Sequence, residues 1–382
     1  MDKKILIVAV LVVLTGCVVN PEHSFTGEDQ SRLMAQILAD QAPPTDLITL
    51  RLNDDIKAQI DARIDSEWRS KRKLRELRAF LFSQDEIGIK YDATASLTAS
   101  ETFELRRGNC LALTNLFIAV GRHVGLDANY QTVAVEPTWN HAGETMIRYE
   151  HIVAVGRIGE ENYIVDFLPE FLIGDRPAEE ISDQHALALY FNNMGAEAVV
   201  DERPAEGVVH LRKALALVPD SSDAWNNMGA ALRRSGQVQL AEFAYFQSLE
   251  HNSYNYSALS NLSRYYESAG RRAEAEVMAN RVDRYRRRNP YFHFFAAQVL
   301  FDNGHYHASV ESFDKAIRLK RDEPQFYEAL AKVYAVLGND LEAKRFMRRA
   351  QDMRERKVNV PPERVMESRL IVRKSNVTAR IR

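Results

Sequence analysis

The stretch Phe191-Asn192-Asn193-Met194-Gly195 returns as Trp225-Asn226-Asn227-Met228-Gly229, 34 residues later. The period holds beyond this pair. Gly236, Gly270, Gly304 and Gly338 are each 34 residues apart. Small residues keep the same beat: Gly229, Ala297 and Ala331 before these glycines, and Ala241, Ala275, Ser309 and Ala343 after them. A further row runs Ala214, Ser248, Ala316 and Ala350, with Val282 interrupting it. Several rows agreeing on one period mark a repeated supersecondary unit. The small residues let the two helices of a unit approach closely, and the glycine turns the corner between them. Such a unit cannot bury its apolar face alone, so neighbours stack into an array with a concave surface.

A 34-residue helical period of this kind resembles the tetratricopeptide repeat. Five units are expected, at 188–221, 222–255, 256–289, 290–323 and 324–357. The first is irregular, with Glu202 in the place of the turn glycine, but it keeps Pro219 near its end. The resemblance implies an all-α solenoid that binds a protein or peptide, with Trp225 and Tyr265 expected on the concave face. The basic cluster Arg284-Tyr285-Arg286-Arg287-Arg288 reads as a solvated helix face. His305 and His307, in an expected turn, read as surface residues. Pro361-Pro362 ends the helical pattern. The last segment, 358–382, is a basic tail in which Leu370-Ile371-Val372 reads either as an added strand or as an unpaired run.

The chain has 382 residues, enough for two or three domains. A hydrophobic fraction of 46% with 27% charged residues is ordinary for a globular protein, so a low-complexity chain is excluded. A net charge of -3 argues against holding nucleic acid through its phosphates. Two cysteines, Cys17 and Cys110, cannot make a disulfide framework. Lys3-Lys4 precede the apolar run Ile5 to Leu14. As a helix that run rises about 15 Å, half of a bilayer's hydrocarbon core, which suits a secretory signal and not a membrane span. Leu14-Thr15-Gly16-Cys17 resembles the lipobox of bacterial lipoproteins. The resemblance implies a signal peptide over 1–17, lipidation at Cys17 and a tether over 18–25. Val18 in place of Asp after the cysteine implies the outer membrane, facing the periplasm. Cys110 is then the sole thiol of the mature chain, in an oxidising compartment.

The remaining half, 26–180, mixes helical and strand patterns. Ser31 to Ala42, Asp55 to Ile64 and Ser66 to Phe82 show helical apolar spacing, and a short helix is expected around Ala99 to Arg106. After Arg106-Arg107-Gly108-Asn109-Cys110, the residues Leu113, Leu116, Phe117, Val120 and Val124 recur at helical spacing, with Gly125 as a stop. Cys110 therefore lies in the first turn of a buried helix, where the electropositive terminus favours thiolate over thiol in general. Tyr130 to Val135, His151 to Val155 and Asn162 to Phe167 read as strands. A two-residue turn at Gly159-Glu160 sets Asp166 opposite Val153, with His151 its diagonal neighbour on the same face. A turn at Ile158-Gly159 sets His151 directly opposite Asp166, and a three-residue loop separates the two.

Cysteine at a helix start, histidine on one strand and aspartate on the next meet the needs of thiol catalysis. The run from about Phe82 to Phe171 resembles the transglutaminase-like, papain-like superfamily of cysteine enzymes. The resemblance is carried by Arg107-Gly108-Asn109-Cys110, His123-Val124-Gly125-Leu126, the strand at His151 and Val165-Asp166. Asn109 departs from the Asp that many members carry there, and no aromatic follows closely on His151. The resemblance implies Cys110 as nucleophile, His151 as general base and acid, and Asp166 as the residue that orients it. His141 is a second choice for the histidine. Trp139 and Asn140 are weak choices for an oxyanion donor beside the Cys110 N–H. The expected architecture is an α+β transglutaminase-like (papain-like) domain followed by an all-α tetratricopeptide-repeat solenoid. The expected function is cleavage or transfer of an amide through a Cys110 thioester, on a protein or peptide recruited by the repeats. The alternative is a non-catalytic lipoprotein scaffold or assembly factor. No metal or organic cofactor is implied.

Overall fold

The computed structural model describes residues 25–134, 138–139, 146–147, 150–167, 178–357 and 369–374. Three helices lead in: α1 Gly27–Leu38, α2 Asp54–Arg63 and α3 Ser70–Phe82. Thr26 and Asn53 cap the first two, each side-chain oxygen accepting a backbone N–H of the first turn. A short strand β1, Lys90–Tyr91, precedes α4, Ala99–Leu105, which opens with a Thr98/Glu101 capping box. Strand β2, Arg107–Gly108, pairs in parallel with β1. Helix α5, Cys110–His123, follows, and every residue from Leu111 to Gly121 in it is buried. A helix that is apolar on all sides belongs inside, and α5 is the axis of this half. Its C-terminal end is held by Lys73, whose Nζ donates to the Val124 carbonyl at 2.8 Å.

Strands β3 Asn129–Ala134, β4 Thr138–Trp139, β5 Met146–Ile147, β6 Glu150–Ile158, β7 Glu161–Asp166 and β8 Ala178–Ile181 come next. The main sheet has the order β8-β3-β6-β7-β9, where β9 is Arg369–Lys374, and every pairing is antiparallel. Gly159 and Glu160 form the turn between β6 and β7, with Gly159 at φ 63°. Ala154 therefore pairs with Val165, the first of the two registers considered. The segment around Leu370-Ile371-Val372 is a strand. It returns from the C-terminus to cover the β7 edge, with Arg369 opposite Asp166.

Five helix pairs follow: α6 Asp183–Val200 with α7 Pro204–Leu217, α8 Ser222–Arg234 with α9 Val238–His251, α10 Tyr256–Ser268 with α11 Arg272–Arg288, α12 Pro290–Asp302 with α13 Tyr306–Leu319, and α14 Pro324–Val336 with α15 Asp340–Lys357. The corners at Gly236, Gly270, Gly304 and Gly338 have φ of 75°, 71°, 78° and 73°. A Cβ there would meet nothing within 4 Å, so the need for glycine is conformational and not steric. Glu202 holds the equivalent corner of the first pair at φ 60°. Trp225 is 1% exposed and its Nε1 donates to the Pro219 carbonyl at 2.8 Å. It points into the core between pairs, which corrects its expected place on the concave surface.

The two halves share one core. Buried apolar side chains are contiguous from Leu33 through α5 and the sheet to Val282, and a second cluster begins at Tyr291. Polar contacts reinforce the junction. Arg122 donates to both Asp183 carboxylate oxygens at 2.6 and 2.9 Å, and Arg212 Nε donates to the Ile37 carbonyl at 2.6 Å. Phe25 sets its ring against Phe243 and Phe246, with centroids 5.4 and 5.8 Å away. Among the described residues, no helix is long and apolar enough to cross a membrane.

Candidate functional site

Asn109 builds the start of α5. Its Oδ1 accepts from the Ala112 N–H at 3.0 Å, and its own N–H donates to the Ala95 carbonyl at 2.9 Å. Its Nδ2 donates to Ser96 Oγ at 2.8 Å. An ionised aspartate caps a helix equally well but has no proton to give Ser96, so this position uses both ends of an amide. Gly108 closes the approach. A Cβ there would lie 2.8 Å from Ala112 Cβ and 3.1 Å from Thr102 Cγ2. Cys110 is thus the first residue of the helix and is half-buried.

The sheet brings the other two groups to it. Helix α5 packs on β6, and Thr114 Oγ1 donates to the Cys110 carbonyl at 2.7 Å and reaches the Ile152 carbonyl at 3.4 Å. His151 on β6 and Asp166 at the end of β7 are both buried, at 1% and 0% exposure. His151 Nε2 and Asp166 Oδ1 are 2.6 Å apart. Cys110 neighbours the ring and contributes to its electrostatics. The structure therefore brings Cys110, His151 and Asp166 together. Cys17, Asn140 and His141 lie outside the described residues, and of Trp139 only the backbone, on β4, is described.

Burial acts against the charged imidazole, but the hydrogen bond to the Asp166 carboxylate, with the neighbouring Cys110, outweighs it, holding His151 up to about 9 from the ordinary 6.5. A group raised on folding stabilises the fold while it is protonated in both states, and that stabilisation is lost as pH climbs through the folded value. The unfolding free energy should therefore fall by on the order of 2–3 kcal/mol between pH 6.5 and about 9. Urea titrations across that window check it. Asp166→Asn should flatten the slope, and a wild-type profile already flat would contradict a charged imidazole.

A connection the sequence did not suggest enters from the solenoid. Ser96 Oγ donates to Glu197 Oε1 of α6 at 2.5 Å, so Glu197, Ser96 and Asn109 form a hydrogen-bonded line ending next to Cys110. Burial raises the Glu197 carboxyl above its usual range, and the bond from Ser96 partly offsets this. Nothing in the local pattern around Glu197 marks it, because its partner comes from the other half of the chain.

Residues 210–243 and 294–356 match family models of the tetratricopeptide repeat. The C-terminal half is a solenoid of such repeats. Among solved structures, MamA from Desulfovibrio magneticus RS-1 aligns at 14% identity over 47% of this chain and 99% of its own, with a TM-score of 0.26. PilF of Pseudomonas aeruginosa aligns at 19% identity over 47% of this chain and 80% of its own, with a TM-score of 0.27. No curated protein matches the chain.

Proposed function

We propose that this chain is a protein-binding scaffold whose solenoid holds a protein or peptide partner. The repeats support this reading, since such arrays present extended binding surfaces. A row of amides adds to it. Asn227 Nδ2 donates to Asn192 Oδ1 at 3.0 Å, Asn226 Nδ2 to Asn227 Oδ1 at 3.2 Å, and Asn261 Nδ2 to Asn226 Oδ1 at 3.0 Å. They run across α6, α8 and α10, and Asn226, Asn227 and Asn261 line a hollow of about 240 Å³ with Tyr256 and Arg264. Resemblance of Leu14 to Cys17 to a lipobox supports a lipid-anchored location at the outer membrane, facing the periplasm.

One observation favours a second, catalytic reading: a buried imidazole hydrogen-bonded to a carboxylate and neighboured by the Cys110 thiol. In this reading the domain is transglutaminase-like. The Cys110 sulfur attacks an amide carbonyl while its proton resides on His151, and the carbonyl electron pair moves onto oxygen. The pair returns as the C–N bond breaks, and the imidazolium gives its proton to the leaving amine. This leaves a thioester. Water, its proton taken by His151, releases the acid and restores the thiol; an amine in the same place completes a transfer. Asp166 holds the ring throughout. Water is the default acceptor, which favours hydrolysis.

Complementation of a deletion strain separates the two readings. A scaffold keeps function with Cys110→Ala and loses it with Asn192, Asn227 and Asn261 replaced by alanine. An enzyme loses function with Cys110→Ala while its melting temperature is unchanged.

A further inference from the structure

At the edge of the solenoid, where α9 meets α10 and α11 meets α12, lies a pocket of about 460 Å³. Arg281, Arg284 and Arg288 line it from one face of α11, with Tyr254 and Tyr285 beside them. Among the described residues, the lining carries no carboxylate. Arg281 is fixed there, its Nη2 donating to the Ser253 carbonyl at 3.2 Å. Arg284 and Arg288 are exposed. Asn289 also lines the pocket while capping α12, so the positive end of a 13-residue helix adds to the guanidinium charge. Three guanidinium groups and a helix N-terminus around one hollow form a receptor for a phosphate group, whose oxygens arginine forks bind bidentately.

The position of the pocket identifies the source of that phosphate. Ser253 lines both this pocket and the neighbouring hollow that Phe25 enters. Phe25 is eight residues past Cys17, a reach of at most about 29 Å for an extended chain. A membrane holding Cys17 is therefore within reach of this edge. Tyr254 is 72% exposed beside the arginines, an aromatic with a polar tip of the kind enriched at membrane interfaces. We propose that this pocket docks the phosphate of an anionic phospholipid headgroup, orienting the solenoid on the membrane surface. The proposal rests on the lipid anchor at Cys17, and it gives the cluster Arg284 to Arg288 a role beyond that of a solvated helix face.

The test is vesicle co-sedimentation of the full chain carrying Cys17→Ser, so that no attached lipid contributes. The vesicles are phosphatidylcholine alone or phosphatidylcholine with phosphatidylglycerol. Each surface arginine is worth about 5-fold in binding to anionic lipid. Replacing Arg281, Arg284 and Arg288 with glutamine should weaken binding to the anionic vesicles by on the order of 100-fold, leaving the neutral background unchanged. Arg284→Gln with Arg288→Gln keeps the Arg281 contact to Ser253 and should cost about 25-fold, which guards against a folding defect in the triple variant. Equal binding of wild type and variants overturns the proposal. So does binding of glycerol phosphate in solution without any preference for anionic vesicles, which assigns the pocket to a free phosphate. Incorporation of labelled palmitate at Cys17 in the unaltered chain tests the anchor separately.

Discussion

Replacing His151 with alanine should slow alkylation of Cys110 at neutral pH by about 30-fold. The figure follows from what the imidazole does for sulfur. A thiol with no help is only a few per cent thiolate at neutral pH, and thiolate is the form that reacts. A positive ring beside a thiol favours that form in general, and against the cost of burial His151 is held up to about 9 by its bond to Asp166 and by the neighbouring Cys110. Cys110 is half-buried, so the probe is a small reagent such as iodoacetamide. The measurement is the alkylation rate against pH for the wild type, His151→Ala and His151→Gln. The glutamine variant keeps a polar side chain at the buried position and loses the titration. On the catalytic reading, the two variants should react more slowly than the wild type. Identical profiles for all three would sink the catalytic reading and leave the scaffold.

Trp225→Ala should destabilise the fold by about 3–5 kcal/mol. The indole is among the largest fully buried side chains, and its removal leaves a cavity between helix pairs. It also leaves the Pro219 carbonyl without its side-chain donor. The loss should not stay local. The first three helix pairs and the N-terminal half share one contiguous core, so thermal unfolding of the variant should move the near-ultraviolet signal of both halves together. Melting of the repeats at a lower temperature, with the cysteine-bearing half unmoved, would contradict that shared core.

The repeats are legible because the same physical problem is solved five times. Each corner needs a left-handed residue and each helix pair a small contact residue, so the solutions recur at one spacing. Even Glu202 follows the geometry while departing from the residue type. The pairing of His151 with Asp166 was within reach of the sequence because a turn of known length fixes the register of everything beyond it. Gly159 supplied the residue such a turn needs, and the structure selects between the registers left open. What could not be read depends on partners distant in the chain. The line from Glu197 through Ser96 to Asn109 joins two halves whose local patterns are independent. Trp225 occupies a row where an aromatic can serve either a groove or a core, and only the stacking of neighbouring pairs decides. The strand at Arg369–Lys374 pairs with residues some 200 positions earlier, and a short apolar run carries no mark of a partner so distant.

That last strand changes what kind of mechanical object the solenoid is. An array of stacked helix pairs is a spring with free ends, able to alter its pitch at low cost. Here the first pair is fixed to the N-terminal half by Arg122 and Asp183, and the chain beyond the last pair is fastened to β7 of that same half. The spring is held at both ends. A partner that tightens or opens the coil can load the strand pair in which Arg369 is the register partner of Asp166. Tension in the array thus has a route to the carboxylate that holds His151.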